Sequence, residues 1–214
     1  MVYREIRAEA WKKLAPSWSV FAVITLVYGT INGILGGSGG SSYAWSQSVT
    51  ITFNVIVSIA ALFLSGAFKY GYSKCGLHVS DKKTLKFKTF FDGFEDFTRA
   101  FILSVLNAIF IFLWSLLLII PGIIAALSYS MSYYILIENP NISASEAMER
   151  SVALMDGHKF QYFCLMLTFV GWILLSILTF GILMLWIRPY METTKADFYR
   201  MISAQPEEVQ AEVK

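Results

Sequence analysis

Residues 180–199 read FGILMLWIRPYMETTKADFY, and the fold turns on how this stretch is understood. It follows a long apolar run and begins like another membrane helix, yet Arg188, Glu192, Lys195 and Asp197 interrupt it. Either a membrane helix carries buried charge, or a helix leaves the membrane early.

The surrounding chain supplies the context. Of 214 residues, 56% are hydrophobic and 15% charged, with mean hydropathy +0.58. A soluble domain usually carries about 25% charged residues. No Asp, Glu, Lys or Arg falls within residues 14–68, 100–137 or 160–187. Each gap exceeds the roughly 20 apolar residues needed to cross a bilayer. The sequence therefore reads as an integral membrane protein.

Composition also excludes several functions. A net charge of +2, with no basic patch interleaved with stacking aromatics, gives no nucleic-acid footprint. Cys75 and Cys164 supply neither a disulfide framework nor metal-ligand spacing. The N-terminal MVYREIRAEAWKKLAPSW has charges of both signs and no short apolar core before a small-residue cleavage site. It reads as a retained segment and not as a signal peptide.

Within the gaps, the expected fold is an all-α, polytopic membrane helix bundle in a single domain over residues 1–202, followed by a polar tail over 203–214. About six membrane helices, at 17–35, 49–68, 100–120, 123–137, 160–179 and 182–202, pair as three hairpins. The first pair is joined by the uncharged linker GGSGGSSYAWSQ. In the second, Pro121 breaks the helical ladder and Gly122 relaxes the turn. In the third, Gly181 marks the turn. With these turns facing outward, the lysines and arginines of the connecting segments all fall on the other side, which places both termini in the cytoplasm of a plasma membrane.

A stretch with helical amphipathicity precedes each hairpin. Tyr3, Ile6, Ala10 and Leu14 share the first face; Phe87, Phe90, Phe91, Phe94 and Phe97 form the second. In the third, Ser143 and Glu146 make a capping-box pattern, and Met148, Val152 and Met155 line one side. Such helices either lie in the membrane interface or pack under the bundle as a collar. Gly29, Gly33 and Gly37, four residues apart, put a small-residue face on the first membrane helix for close intramolecular packing.

Two long stretches, LWSLLLIIPGIIAALSYSMSYYILIENPNISASEAMERSVALMDGHK and FVGWILLSILTFGILMLWIRPYMETTKADFY, together with the N-terminal REIRAEAWKKL, carry a resemblance. In its IPG turn, its S..LM.GHK, its GW and its PY followed by a Phe-Tyr pair, the chain resembles the bacterial membrane family known as domain of unknown function 975. The match runs over most of residues 94–199. EAMERSVALMDGHKF is also similar, over a shorter length, to the membrane domain of some glycerophosphodiester phosphodiesterases. The first resemblance implies a multi-pass membrane protein of mostly Gram-positive bacteria and brings no activity with it.

The residues themselves show no catalytic motif. His78 and His158 each stand alone in their segments, no HExxH is present, and GGSGG lacks the Lys-Ser/Thr ending of a phosphate loop. No cofactor, metal or enzymatic activity is expected. Lys82, Lys83, Lys86 and Lys88 sit beside a membrane boundary and are expected to meet anionic headgroups, which attract such residues by about 1 kcal/mol each. Membrane lipids, and other membrane proteins, are the expected partners.

Residues 182–202 are long enough to return through the bilayer from Gly181, which puts Arg188 roughly 10 Å below the outer surface at about 1.5 Å per residue. Glu192 lies at the i,i+4 spacing where side chains meet. One reading pairs Arg188 with Glu192 inside the bundle, as a clamp or a functional site. Another has Arg188 snorkelling outward while Glu192 and Lys195 neutralise each other beside a water-filled vestibule. A third is a shallow re-entrant turn with an early exit. Three functions follow: a non-catalytic scaffold or accessory protein contacting lipids or partners; a small transporter or channel using the Arg188–Glu192 region; and, with least support, a lipid-modifying enzyme.

Overall fold

The computed structural model describes residues 2–36, 47–179 and 181–204, with side chains placed at 5–30, 64–179 and 181–204. Every regular element among them is helical. In chain order these are α1 (Val2–Leu14), α2 (Trp18–Gly36), α3 (Gln47–Ser80), α4 (Phe97–Leu117), α5 (Ile119–Ser128), α6 (Ser132–Glu138), α7 (Ala144–Leu154), α8 (Lys159–Leu178) and α9 (Met184–Ser203). Short 3-10 segments lie at Ala15–Ser17 and Phe87–Phe94. Among the described residues, three stretches are long and apolar enough to cross a membrane: α4, Ile119–Glu138 and α8. The middle one joins α5 and α6.

The break between α4 and α5 falls at Leu118, which is fully extended at φ −163° and ψ 152°, and not at Pro121-Gly122. Pro121 instead occupies the first turn of α5. The N–H groups there have no helical partner, so proline's missing donor costs nothing. The first helical bond runs from the Gly122 N–H to the Leu118 carbonyl at 3.3 Å. Gly122 serves close approach: a Cβ there would stand 2.9 Å from the Ser115 Cα of α4. At the end of α8, Gly181 takes φ +83°, and its N–H donates to the Ser176 carbonyl at 2.8 Å. A left-handed glycine of this kind closes many helix ends.

The amphipathic segments pack onto the bundle. α1 lies against α9 and buries Ile6, Ala10 and Leu14. Phe87–Phe94 coils as a 3-10 helix and seats only Phe90 completely, leaving Phe87, Phe91 and Phe94 part-exposed. Its backbone rests directly on α3, because a Cβ on Gly71 would collide with the Phe90 carbonyl and one on Gly93 with the Ala67 carbonyl. Ser143 caps α7 by accepting from the Glu146 N–H at 3.2 Å. Val152 is a correction to the expected face: it points outward at 38% exposure. The buried path runs from Met148 through Ser151 to Met155, and the Ser151 hydroxyl donates to the Ser128 carbonyl at 2.7 Å.

Two apolar clusters result. One gathers α6, α7, α8 and α9 around Tyr134, Met131, Leu165 and Phe198. The other joins α2, α3 and the 3-10 segment around Phe21, Ile24 and Phe90. Between them runs the contact of α3 with α9.

Candidate functional site

α3 and α9 meet through polar faces. On α9, Glu192, Thr193, Thr194 and Asp197 are buried; on α3, Ser73 and Ser80 are. The two threonines satisfy themselves locally, donating to the carbonyls of Pro189 at 2.9 Å and Tyr190 at 2.8 Å. The acids need partners from other helices, since a buried carboxylate is costly unless paired and hydrogen-bonded.

Each acid has them. One Glu192 oxygen accepts from Tyr134 at 2.6 Å and from Ser73 at 3.0 Å; the other faces the Lys195 ammonium at 3.4 Å. Gly76 makes room, because a Cβ there would lie 3.0 Å from the Glu192 Cγ. Asp197 accepts from Lys13 of α1 at 2.7 Å and from Ser80 at 2.5 Å. Further along, Arg200 grips Asp81 with two bonds of 2.8 Å and also pairs with Glu138. Burial works to raise the Asp81 pKa, but hydrogen bonds from Arg200 and Lys83 outweigh it and hold the carboxyl below its ordinary value.

The ion pair formed within 182–202 is thus Glu192 with Lys195. Arg188 makes no ion pair among the described residues and is exposed. Lys195, at i,i+3, is as well placed as a residue at i,i+4, and Tyr134 and Ser73 fill the remaining side of the carboxylate. Within this stretch Glu192 and Lys195 neutralise each other.

A cavity of about 600 Å³ opens beside this pair. Lys69, Arg188, Glu192 and Lys195 line it, with Ser73, Ser130 and a group of tyrosines that includes Tyr28, Tyr72 and Tyr162. Tyr28 and Tyr72 stack with ring centres 4.9 Å apart, and the Lys69 ammonium stands 4.7 Å over the Tyr133 ring. The volume falls within the roughly 300–1,000 Å³ of small-molecule sites. A second hollow, of about 580 Å³ between α1, α8 and α9, is apolar and walled by Trp11, Trp172 and Trp186.

The other expected positions have varied places. Gly29 lies beside Arg188: a Cβ there would sit 3.9 Å from the Arg188 Nη1, an ordinary contact and no close backbone approach. The side-chain surroundings of Gly33, and all of Gly37, lie outside the described residues. Lys82, Lys83, Lys86 and Lys88 are exposed. Lys82 and Lys83 also line a notch of about 340 Å³ with Lys12 and Lys13. Sequence reasoning passed over Lys69, Ser73 and Tyr134. Ser73, Gly76 and Ser80, three and four residues apart on one face of α3, were the readable signal.

A family model described as protein of unknown function (DUF975) matches residues 1–126 and 115–206. The chain belongs to this family. No curated protein and no solved structure matches it. Membership carries no activity with it, so function rests on the cavity and its side chains.

Proposed function

We propose that this family member is a multi-pass protein of the bacterial plasma membrane that binds a polar solute in the cavity beside α3 and α9. It acts there as a small transporter or solute-binding component and not as an enzyme. The observation that carries this reading is the cavity of about 600 Å³ lined by four charged side chains in a chain so poor in charge. Discontinuous helices and ionisable residues facing a cavity are the devices by which membrane proteins hold polar cargo. Ile119–Glu138, broken between α5 and α6, is discontinuous and lines the cavity through Ser130, Tyr133 and Tyr134, while the unbroken α9 presents Arg188, Glu192 and Lys195 to it. In this reading α2 with α3, α4 with α5–α6, and α8 with α9 form three hairpins of six spans, with both termini cytoplasmic.

A panel of small anionic, neutral and cationic solutes, read by thermal unfolding of the purified protein in maltoside, tests the cavity. At least one should stabilise the parent saturably and fail to stabilise Ala126→Trp, which places bulk on the cavity wall. If no solute distinguishes the two proteins, the cavity is not a binding site. Cysteines at Ser41 and Lys86 should label from outside and inside respectively; the reverse sidedness would overturn the topology.

A second reading, a scaffold resting on anionic lipid, is favoured by one observation. Lys12 and Lys13 from α1 converge with Lys82 and Lys83 on a single notch. Changing Lys82, Lys83, Lys86 and Lys88 to glutamine should then weaken retention of acidic lipids in a salt-sensitive way. Equal retention removes this reading.

A further inference from the structure

The cavity wall holds three cations, Lys69, Arg188 and Lys195, and one carboxylate, Glu192. Glu192 is already satisfied by Lys195, Tyr134 and Ser73. Lys69 and Arg188 remain, and neither makes an ion pair among the described residues. Among the described residues, the Lys69 ammonium stands over the face of Tyr133.

Among the described residues lining the cavity, Glu192 is the one carboxylate, and Lys195 already shares it. Residues 14–68, which include α2 and most of α3, contain no Asp or Glu. Of the acids closest to Lys69 in sequence, Asp81 is committed to Arg200, Asp92 to Lys74, and Asp96 to Tyr70 and Arg99, while Glu95 is exposed and does not line the cavity. The wall thus carries three cations against one carboxylate, and in a site partly shielded from water such an excess of one sign is poorly screened. A ligand of opposite sign removes the cost.

We infer that this cavity is an anion site for a group carrying two negative charges, a phosphate or a paired carboxylate; the inference rests on the cavity being a binding site at all. Arg188 offers a planar fork that grips two oxygens at once, whereas Lys69 offers a single mobile charge. The stacked rings of Tyr28 and Tyr72 provide an apolar face for whatever organic body the anion carries. The Glu192–Lys195 pair then serves as a fixed, neutral part of the wall and rejects a second carboxylate laid against Glu192. The doubly charged group has two sources, a free solute or a lipid headgroup, and one experiment separates them.

Purified full-length protein in maltoside is titrated with inorganic phosphate and with succinate, against choline chloride and glucose at matched ionic strength, and the unfolding temperature is read. Phosphate or succinate should raise it saturably, while the controls should not. Arg188→Gln, at an exposed and unpaired side chain, should weaken the apparent affinity about tenfold or more, the size of one charge-assisted hydrogen bond. Arg188→Lys should keep part of it, and Lys69→Gln provides an independent second variant. Phosphatidic acid and phosphatidylcholine in mixed micelles form the lipid arm. An Arg188-dependent shift confined to phosphatidic acid identifies a headgroup, and one seen with the soluble anions identifies a free solute. Saturable stabilisation by glucose or choline, lost in Ala126→Trp, would overturn the anion assignment and leave the cavity reading standing. Anion stabilisation unchanged in both Arg188→Gln and Lys69→Gln would also overturn it. No response to any probe would remove both readings together.

Discussion

Around the α4–α5 break, Leu116 to Ile120 leave 66–77% of their surface uncovered, whereas along the α3–α9 seam Glu192 and Asp197 keep only 7%. A protein solvated by water arranges these materials the other way round. At the α4–α5 end, apolar side chains face outward over consecutive residues, and close packing is confined to small contacts such as Gly122 against Ser115. At the seam, carboxylates are enclosed by hydroxyls and ammonium groups from four helices, α1, α3, α6 and α9. The contrast is compatible with a lipid solvent at the first region and with a polar interior at the second, where an unpaired group is expensive. Stability should therefore respond very differently to substitutions in the two places.

The seam should be most sensitive at Glu192. Glu192→Leu strands Lys195 and removes the acceptor of Tyr134 and Ser73, and breaking a buried pair in this way costs about 3–5 kcal/mol. Denaturation in detergent should show that loss, with Glu192→Gln retaining much of the stability. A neutral Glu192→Leu would mean the seam's polar contacts are incidental.

Next comes the backbone contact beneath the phenylalanine-rich segment. Gly71→Ala drives a methyl into the Phe90 carbonyl and should cost about 1–3 kcal/mol, as overpacking does. Gly171→Ala, in α8 with nothing within 4 Å of the new methyl, should be neutral or stabilising by up to about 1 kcal/mol. Equal effects at the two glycines would show that the 3-10 segment does not depend on that approach.

Asp81→Asn should cost less, about 1 kcal/mol, because the Arg200 and Lys83 contacts it loses are partly exposed. It also has a pH signature. The folded pKa of Asp81 is depressed, so its contribution is fully present above the ordinary carboxylate value of about 4 and fades as pH falls through the lower folded value. The variant should lose less stability than the parent on acidification below about pH 4. Parallel stability curves would disconnect Asp81 from acid sensitivity.

The smallest effect belongs to the other region. Leu116→Ala at the α4–α5 end should change stability in detergent by less than about 0.5 kcal/mol, since the side chain is 72% exposed. A loss above 2 kcal/mol would place a packing partner on that face and weaken the contrast.

Much of the architecture could be read without coordinates. The charge-free gaps located α4 and α8, the capping pattern located the start of α7, and Gly181 marked a turn that uses a left-handed backbone. Misplacements came where local chemistry admits two answers. Proline is tolerated in the first turn of a helix as readily as it breaks an interior, so Pro121 did not mark the break. Clustered phenylalanines suit an α-helix and a 3-10 helix alike, and here they lie on a 3-10 segment whose backbone rests on α3 at Gly71 and Gly93.

By itself, the sequence determined that the chain is helical, where its uncharged stretches begin and end, and that residues 182–202 carry ionisable groups. Only the tertiary structure decided which of those groups are enclosed and by whom. Arg188 and Lys195 lie four and three residues from Glu192, nearly equal distances along a helix, so spacing alone could not choose between them. Ser73 and Tyr134 made the choice, reaching Glu192 from positions 119 and 58 residues away and closing one side of it. A local periodicity places side chains on a face; what covers that face comes from other helices, and burial sets the energy of a charge.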